Sequence, residues 1–253
     1  MSKLSIVSFN IRHVWKGDGI NSFIHRAGFI DEKISEQKPD VIAFQEVRAR
    51  NLEILRKLMP DYHFVGHLRN SDYKGEGLYT AVKMSSCEVI GFEAVWLSPT
   101  PYVAGSRFEC QSECPRICLC TTVRHLETGM LFRVFNIHLD LPLEARVLGM
   151  KSALEFVSQQ SAKSDLPYVI LGDFNSTPDD AVIDVCNNCD GIKDIISHIP
   201  VTFQDFGRRE LKLDYMYVTD SLAEKAVNVG VWDDEINGIY LSDHYPVFAD
   251  FEI

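Results

Sequence analysis

What this sequence lacks narrows its function before any motif is read. No window approaches about 18 uninterrupted apolar residues, so no membrane-spanning segment is expected. The start, MSKLSIVSFNIRH, has one lysine and then an apolar run broken by Ser and Asn. It lacks the apolar core and small-residue cleavage site of a signal peptide, so a cytoplasmic location is expected. Positive charge is scarce: 25 Lys and Arg stand against 36 Asp and Glu, for a net charge of −11. That argues against a broad basic surface of the kind that holds nucleic acid by its phosphates. A nuclease that binds weakly and lets a metal carry the charge complementarity stays open. There is no repeat, no low-complexity tract and no linker-like shift in composition, so one domain over residues 1–253 is expected. No protein partner is evident.

Cysteine is present in an odd number, at Cys87, Cys110, Cys114, Cys118, Cys120, Cys186 and Cys189, which without a signal peptide reads as reduced thiols. Paired C-x-x-C motifs are missing, which counts against structural zinc. Cys118 and Cys120 sit in RICLCTTV, a strand-like segment in which Cys packs as a small hydrophobe.

Short apolar runs predict strands over Leu4–Phe9, Val41–Phe44, Leu78–Val82, Glu88–Trp96, Ile117–Val123, Leu131–Ile137, Tyr168–Leu171, Leu213–Val218, Ala226–Val231 and Val247–Phe251. Helical spacing fits Asn21–Gln37, Asn51–Leu58 and Leu143–Ser161. The first and third helices lead directly into strands, at KPDVIAF and DLPYVIL, while HLETGM joins two strands as a hairpin turn. Crossovers and hairpins together predict mixed sheets, two of them, with helices outside. The long irregular stretch Ser98–Pro115 is of a kind more often functional than idle.

The polar residues that end these strands carry the chemistry. YVILGDFNSTPDD drives an apolar run straight into Asp173 and Asn175, with only Phe174 between them. On an extended backbone residues two apart share a face, so Asp173 and Asn175 are expected to look into one space while Phe174 turns to the core. A turn would use the same residue types, but the pattern recurs. SIVSF ends at Asn10, VIAF runs into Gln45 and Glu46, and LFRVFNI ends at His138. KLDYMYV carries Asp214, and PVFADFEI follows Ser242, Asp243 and His244. Brought together, these make a cup of carboxylates, amides and imidazoles with no Cys nucleophile and no Gly-rich phosphate loop. Carboxylate and amide oxygens suit a hard cation, Mg²⁺ or Mn²⁺, and imidazoles add proton handling or anion contacts. The combination suits hydrolysis of a phosphate ester.

FNIRH, FQEV, NIHLD, LGDFNSTPDD, LDYMYV and SDHYPV, in that order, resemble the successive motifs of the endonuclease/exonuclease/phosphatase superfamily. The resemblance runs from residue 4 to the end of the chain and implies a DNase I-like fold, a four-layered α/β sandwich with two mixed sheets face to face. It implies Glu46 as principal metal ligand, with Asn10 nearby and Asp243 supporting. It implies Asp173 orienting or deprotonating the attacking water, Asn175 holding the phosphoryl group, and His138 and His244 on the scissile phosphate, His244 paired with Asp214. Glu76, in YKGEGLY, falls where a family carboxylate backs the histidine equivalent to His138. In place of the acidic residue that some nuclease branches carry after the first Asn stands Ile11–Arg12.

The motifs specify chemistry and leave the substrate open. The segment VWLSPTPYVAGSRFECQSECPRICLCTTV resembles small bacterial members that include sugar-phosphate phosphatases, with Arg69 and Arg116 where such proteins have arginines. Guanidinium groups suit a terminal phosphate, and each could equally be an ion-pairing residue. A small phosphorylated substrate is favoured. A nuclease could stack bases on Trp15, Tyr73 or Tyr102. An inactive binding protein is expected to have lost site residues, and all are present.

Overall fold

The computed structural model describes residues 2–253. The chain opens with β1 (Lys3–Asn10), a 3-10 turn (Lys16–Asn21), α1 (Phe23–Gln37), β2 (Val41–Val47), α2 (Ala49–Leu58), β3 (Tyr62–Leu68) and β4 (Gly77–Lys83). It continues with β5 (Cys87–Trp96), β6 (Ile117–His125), β7 (Leu131–His138), α3 (Leu143–Lys163), β8 (Tyr168–Asp173), α4 (Ala181–Asn187) and β9 (Ile192–Asp194). It closes with β10 (Asp214–Thr219), α5 (Asp220–Ala223), β11 (Ala226–Val231), the small ribbon β12 (Glu235–Ile236) and β13 (Ile239–Tyr240), and β14 (Val247–Glu252).

Two six-stranded sheets result, in the orders β11-β14-β1-β2-β4-β3 and β5-β6-β7-β8-β10-β9. Each has one parallel pair, β1 with β2 and β7 with β8, and these pairs are the ones bridged by α1 and α3. A helix is needed to return the chain to the same end of a sheet. β6 and β7 form the expected hairpin.

Alternation along the strands sorts the core into layers. Leu4 and Ile6 of β1, Val41 and Ala43 of β2, Phe132 and Val134 of β7, Val169 and Leu171 of β8 and Met216 and Val218 of β10 fill the space between the sheets. The intervening residues face outward. Phe9, Ile42 and Phe44 pack under α1 and α2, whereas Phe135, Ile170, Tyr215 and Tyr217 pack under α3 and α4. Helix, sheet, sheet, helix is the four-layered sandwich that the motifs imply. Each fully buried Val, Leu, Ile or Phe contributes roughly 1.5–3 kcal/mol relative to exposure, so these layers hold short strands that would be marginal alone.

The segment Ser98–Pro115 forms no strand or helix. No described helix is long and apolar enough to cross a membrane. Cys118 and Cys120 are buried within β6, and every cysteine is unpaired.

Candidate active site

At one end of the sandwich the inter-sheet face turns from apolar to polar. Asn10 follows Leu4 and Ile6 on the same side of β1, and His138 follows Phe132 and Val134 on β7. Asp173 follows Val169 and Leu171 on β8, and Asp214 precedes Met216 and Val218 on β10. Register then sets neighbours: His138 pairs with Asp173 across β7 and β8, and Asp173 with Asp214 across β8 and β10. Just beneath, polar contacts tie the two sheets together. Gln45 Nε2 donates to Asn136 Oδ1 at 2.8 Å, and Asn136 Nδ2 donates to the Phe44 carbonyl at 3.0 Å.

Three backbone features aim the side chains. Gly172 has φ of +135°, and a Cβ there would lie 1.9 Å from the Ile137 carbonyl oxygen. Only glycine lets β8 come that close to β7. Glu46 lies in an irregularity of the β2–β4 register, between Phe44 and Val47, and has φ of +59°. A bulge of this kind re-aims a side chain, and left-handed backbone at a non-glycine residue is strain of the sort found at functional sites. Asn175 has φ of +49°. Strict strand alternation therefore stops at Asp173, and Asn175 reaches the cleft by a left-handed turn. Its backbone N–H donates to Asp173 Oδ1 at 2.8 Å and its side chain donates to the Leu139 carbonyl at 2.9 Å. Phe174 points into the core under α3 and α4.

The histidines differ in charge. His244 Nδ1 is 2.8 Å from Asp214 Oδ2, and its Nε2 is 3.6 Å from Asp173 Oδ2. Burial opposes its charge, but Asp214 and Asp173 overcome that and raise His244 to about 10. His138, buried beside the positive charge of Arg116, is held well below the ordinary histidine value despite Glu46. One imidazole is thus cationic and the other neutral, where the motifs imply phosphate contacts from both. Asp173 rises to about 7, mainly by burial, with His244 opposing and Asp214 adding. It also accepts a hydrogen bond from Asn10 Nδ2 at 3.0 Å.

Glu46 keeps its charge. Burial works against it, but the His13 hydrogen bond and the nearby Arg12 charge hold it below the usual carboxylate range. Asp243 moves the other way, raised by burial and by the Glu46 charge against the pull of His244. Arg12 stands between them: its guanidinium bonds Asp18 at 3.2 Å and lies 3.7 Å from Asp243. Carboxylates crowded in a buried cup, with the Asn10 amide beside them, are a donor set that fits a hard divalent cation. Asn10 presents its NH2 to Glu46 and Asp173 while its oxygen accepts from Arg12 N–H at 3.1 Å. Its oxygen reaches a cation beside Glu46 only after the amide rotates.

Glu76 corrects the expectation drawn for it. Its carboxylate bonds Arg69 at 2.8 Å and Arg48 at 3.1 Å and lies 3.4 Å from His13. It has no hydrogen bond with His138, because two arginines draw it away. His138 has Asp173 as its carboxylate neighbour instead, at 3.5 Å. Arg116 is buried and lies 3.4 Å from Asp140, with Nε and Nη1 unpartnered, as is Arg69 Nε.

These groups line one cleft of about 450 Å³. Arg69, Arg116, Glu76, Glu46 and His138 lie together in its lining, with Asn175, Asp173, Phe203, Arg209, Asp243 and His244 lining the rest. The cleft thus gathers every expected site residue except Asn10 and Asp214, which contact its lining from behind. Trp15, Tyr73 and Tyr102 are exposed and do not line it.

Two residues escaped sequence reasoning. His13 donates twice to Glu46, and only its place three residues after Asn10 hinted at it. Arg26, on the buried face of α1, is fully buried and donates to the carbonyls of Asn21, Ile11, Arg12 and Leu241. It ties the turn after β1 to the loop that carries Asp243 and His244.

A sequence model of the Endonuclease/Exonuclease/phosphatase family matches residues 7–244. The chain belongs to this family. Members of it hydrolyse phosphate esters. Solved structures agree on the fold. An endonuclease/exonuclease/phosphatase from Bacteroides vulgatus superposes with a TM-score of 0.88 at 24% identity over 100% of each chain. A mannosyl-6-phosphatase from Bacteroides thetaiotaomicron gives 0.88 at 22% identity, covering 99% of this chain and 100% of its own. TDP2 of D. rerio, complexed with single-strand DNA product, gives 0.75 at 19% identity over 100% of each chain. No match was found among curated protein sequences.

Proposed function

We propose that this family member is a divalent-metal-dependent phosphoesterase, with Mg²⁺ or Mn²⁺ as cofactor and a small phosphomonoester, such as a sugar phosphate, as preferred substrate. One observation carries the substrate reading. Arg69 and Arg116 stand together in the wall of the cleft beside His138, with donor nitrogens that no protein group satisfies. Buried arginines in mutual repulsion call for an anion, and burial followed by the Arg69 charge is what lowers Arg116. The terminal phosphate of a monoester, with one more ionisable oxygen than a diester, answers that demand through guanidinium hydrogen bonds. The likeness to a mannosyl-6-phosphatase is in keeping with this reading.

Glu46 would hold the cation with Asn10 and Asp243, and when bound the metal supplies Lewis acidity toward a phosphoryl oxygen. Asp173, poised near 7, takes a proton from water as the water oxygen bonds to phosphorus and the ester P–O bond breaks, and the leaving oxygen takes up a proton from solvent as the alcohol departs. Asn175 and cationic His244 hold the phosphoryl oxygens as negative charge builds. Asp214 keeps His244 oriented and protonated.

Phosphate release from a panel of sugar phosphates, nucleotides and inositol phosphates, run beside cleavage of single- and double-stranded DNA and RNA, tests the proposal. Turnover of a sugar phosphate with nucleic acid left intact is the expected result. Nucleic-acid cleavage that Glu46→Ala abolishes, without sugar-phosphate turnover, would keep the site and replace the substrate.

A further inference from the structure

The contacts around Glu46 assign its two oxygens different tasks. Oε2 accepts from the His13 backbone N–H at 3.2 Å and lies 2.8 Å from His13 Nδ1. Oε1 faces only the Asn10 amide, at a long 3.4 Å. One oxygen is therefore occupied by a single residue acting through main chain and side chain together, while the other keeps only that long contact in a residue that lines the cleft.

The imidazole is itself held. Its ring meets Trp15 edge-on, with centroids 6.3 Å apart. Glu76 Oε1 lies 3.4 Å from the same Nδ1, but that carboxylate is already paired with Arg69 at 2.8 Å and Arg48 at 3.1 Å. Glu46 is the nearer acceptor with no cationic side chain of its own, so the Nδ1 proton goes to it.

We propose that His13 is a positioning residue for the metal site: it clamps Glu46 Oε2 and leaves Oε1 as a one-oxygen ligand for the divalent cation. Metal-binding carboxylates are commonly oriented by such an outer partner, and its loss typically weakens metal binding 10- to 100-fold. The inference rests on the reading of Glu46 as a metal ligand. It gives a role to His13, which the motif FNIRH contains without one, and it fixes which atom faces the metal. The clamp also explains how a left-handed residue in a bulge keeps one side-chain direction.

Mn²⁺ binding to the full chain, measured by calorimetry without substrate, tests the assignment. His13→Ala should weaken binding about tenfold or more. His13→Asn, whose amide nitrogen stands near the Nδ1 position, should restore affinity to within a few-fold of wild type. His13→Gln keeps size and polarity but places its donor too far along, so it should resemble His13→Ala and serves if the alanine variant does not fold. Pulsed EPR of the Mn²⁺ complex should show no nitrogen coupling that His13→Ala removes. Unchanged affinity in His13→Ala, failure of Asn to rescue, or a nitrogen coupling lost with His13 would overturn the positioning role. Glu46→Ala in the same titration separates the two readings. If it binds Mn²⁺ like wild type, the metal-ligand reading fails. If it loses binding while His13→Ala does not, only the clamp fails.

Discussion

Asp173 and Asp214 face one another as register partners on β8 and β10, and His244 contacts both carboxylates, at 3.6 and 2.8 Å. Two buried carboxylates side by side would repel, and the imidazolium between them is what makes the arrangement tolerable. Proton NMR of the metal-free protein should show His244 charged at neutral pH and titrating near 10. The sign follows: the folded state holds this proton above the ordinary histidine value of about 6.5. His244 therefore contributes stability fully below that pH and loses it as pH rises toward 10. Asp214→Asn should bring the titration down by removing the largest favourable charge. A His244 resonance that titrates near 6.5 in the wild type would contradict this.

Asp173 accepts the proton in the proposed reaction, and Asp173→Asn keeps its shape while removing that capacity. The turnover number should fall about 10²- to 10⁴-fold, the usual worth of a positioned base. Steady-state kinetics of the folded variant check it, and a loss confined to KM would reassign Asp173 to binding.

Arg69→Ala and Arg116→Ala should act on substrate binding. Each removes charged hydrogen bonds worth roughly 1.5–3 kcal/mol, so KM should rise about 10- to 100-fold, beyond any change in turnover number. Arg116→Lys should rescue poorly, because an ammonium cannot present the same planar donors. Unchanged KM in both alanine variants would remove these arginines from the substrate.

Arg26→Met should lower stability by about 3 kcal/mol or more, because it strands buried carbonyls from the segments that flank the site. Gly172→Ala should be at least as damaging, since its Cβ would meet the Ile137 carbonyl at 1.9 Å. Urea denaturation measures both. A midpoint unchanged in either variant would show that the local backbone yields more readily than its geometry indicates.

Much of the site was legible because strand alternation does the placing. Asn10, His138, Asp173 and Asp214 each continue the inward face of an apolar run, so naming the run names the face. Helices α1 and α3 were legible to within two residues at either end by their spacing. The failures share a cause. β3, read as no element, is an edge strand whose YHFVGHL alternates poorly and takes its conformation from pairing with β4. Short α4 and β9 depend on packing in the same way. Asn175 enters the cleft through a left-handed turn, which alternation cannot foresee. Glu76 was placed beside His138, yet Arg48 and Arg69 claim it. His13, although it closes FNIRH, and Arg26 act through contacts with residues distant in sequence, so their roles are not visible locally.

Phosphate release from a panel of sugar phosphates with Mn²⁺, compared between the wild type and folded Glu46→Ala and His244→Ala variants, tests the central claim most directly. Turnover by the wild type that chelator abolishes, added metal restores and both variants lack is the predicted result. Folded variants with full activity would contradict the site, and activity indifferent to chelator would contradict the metal.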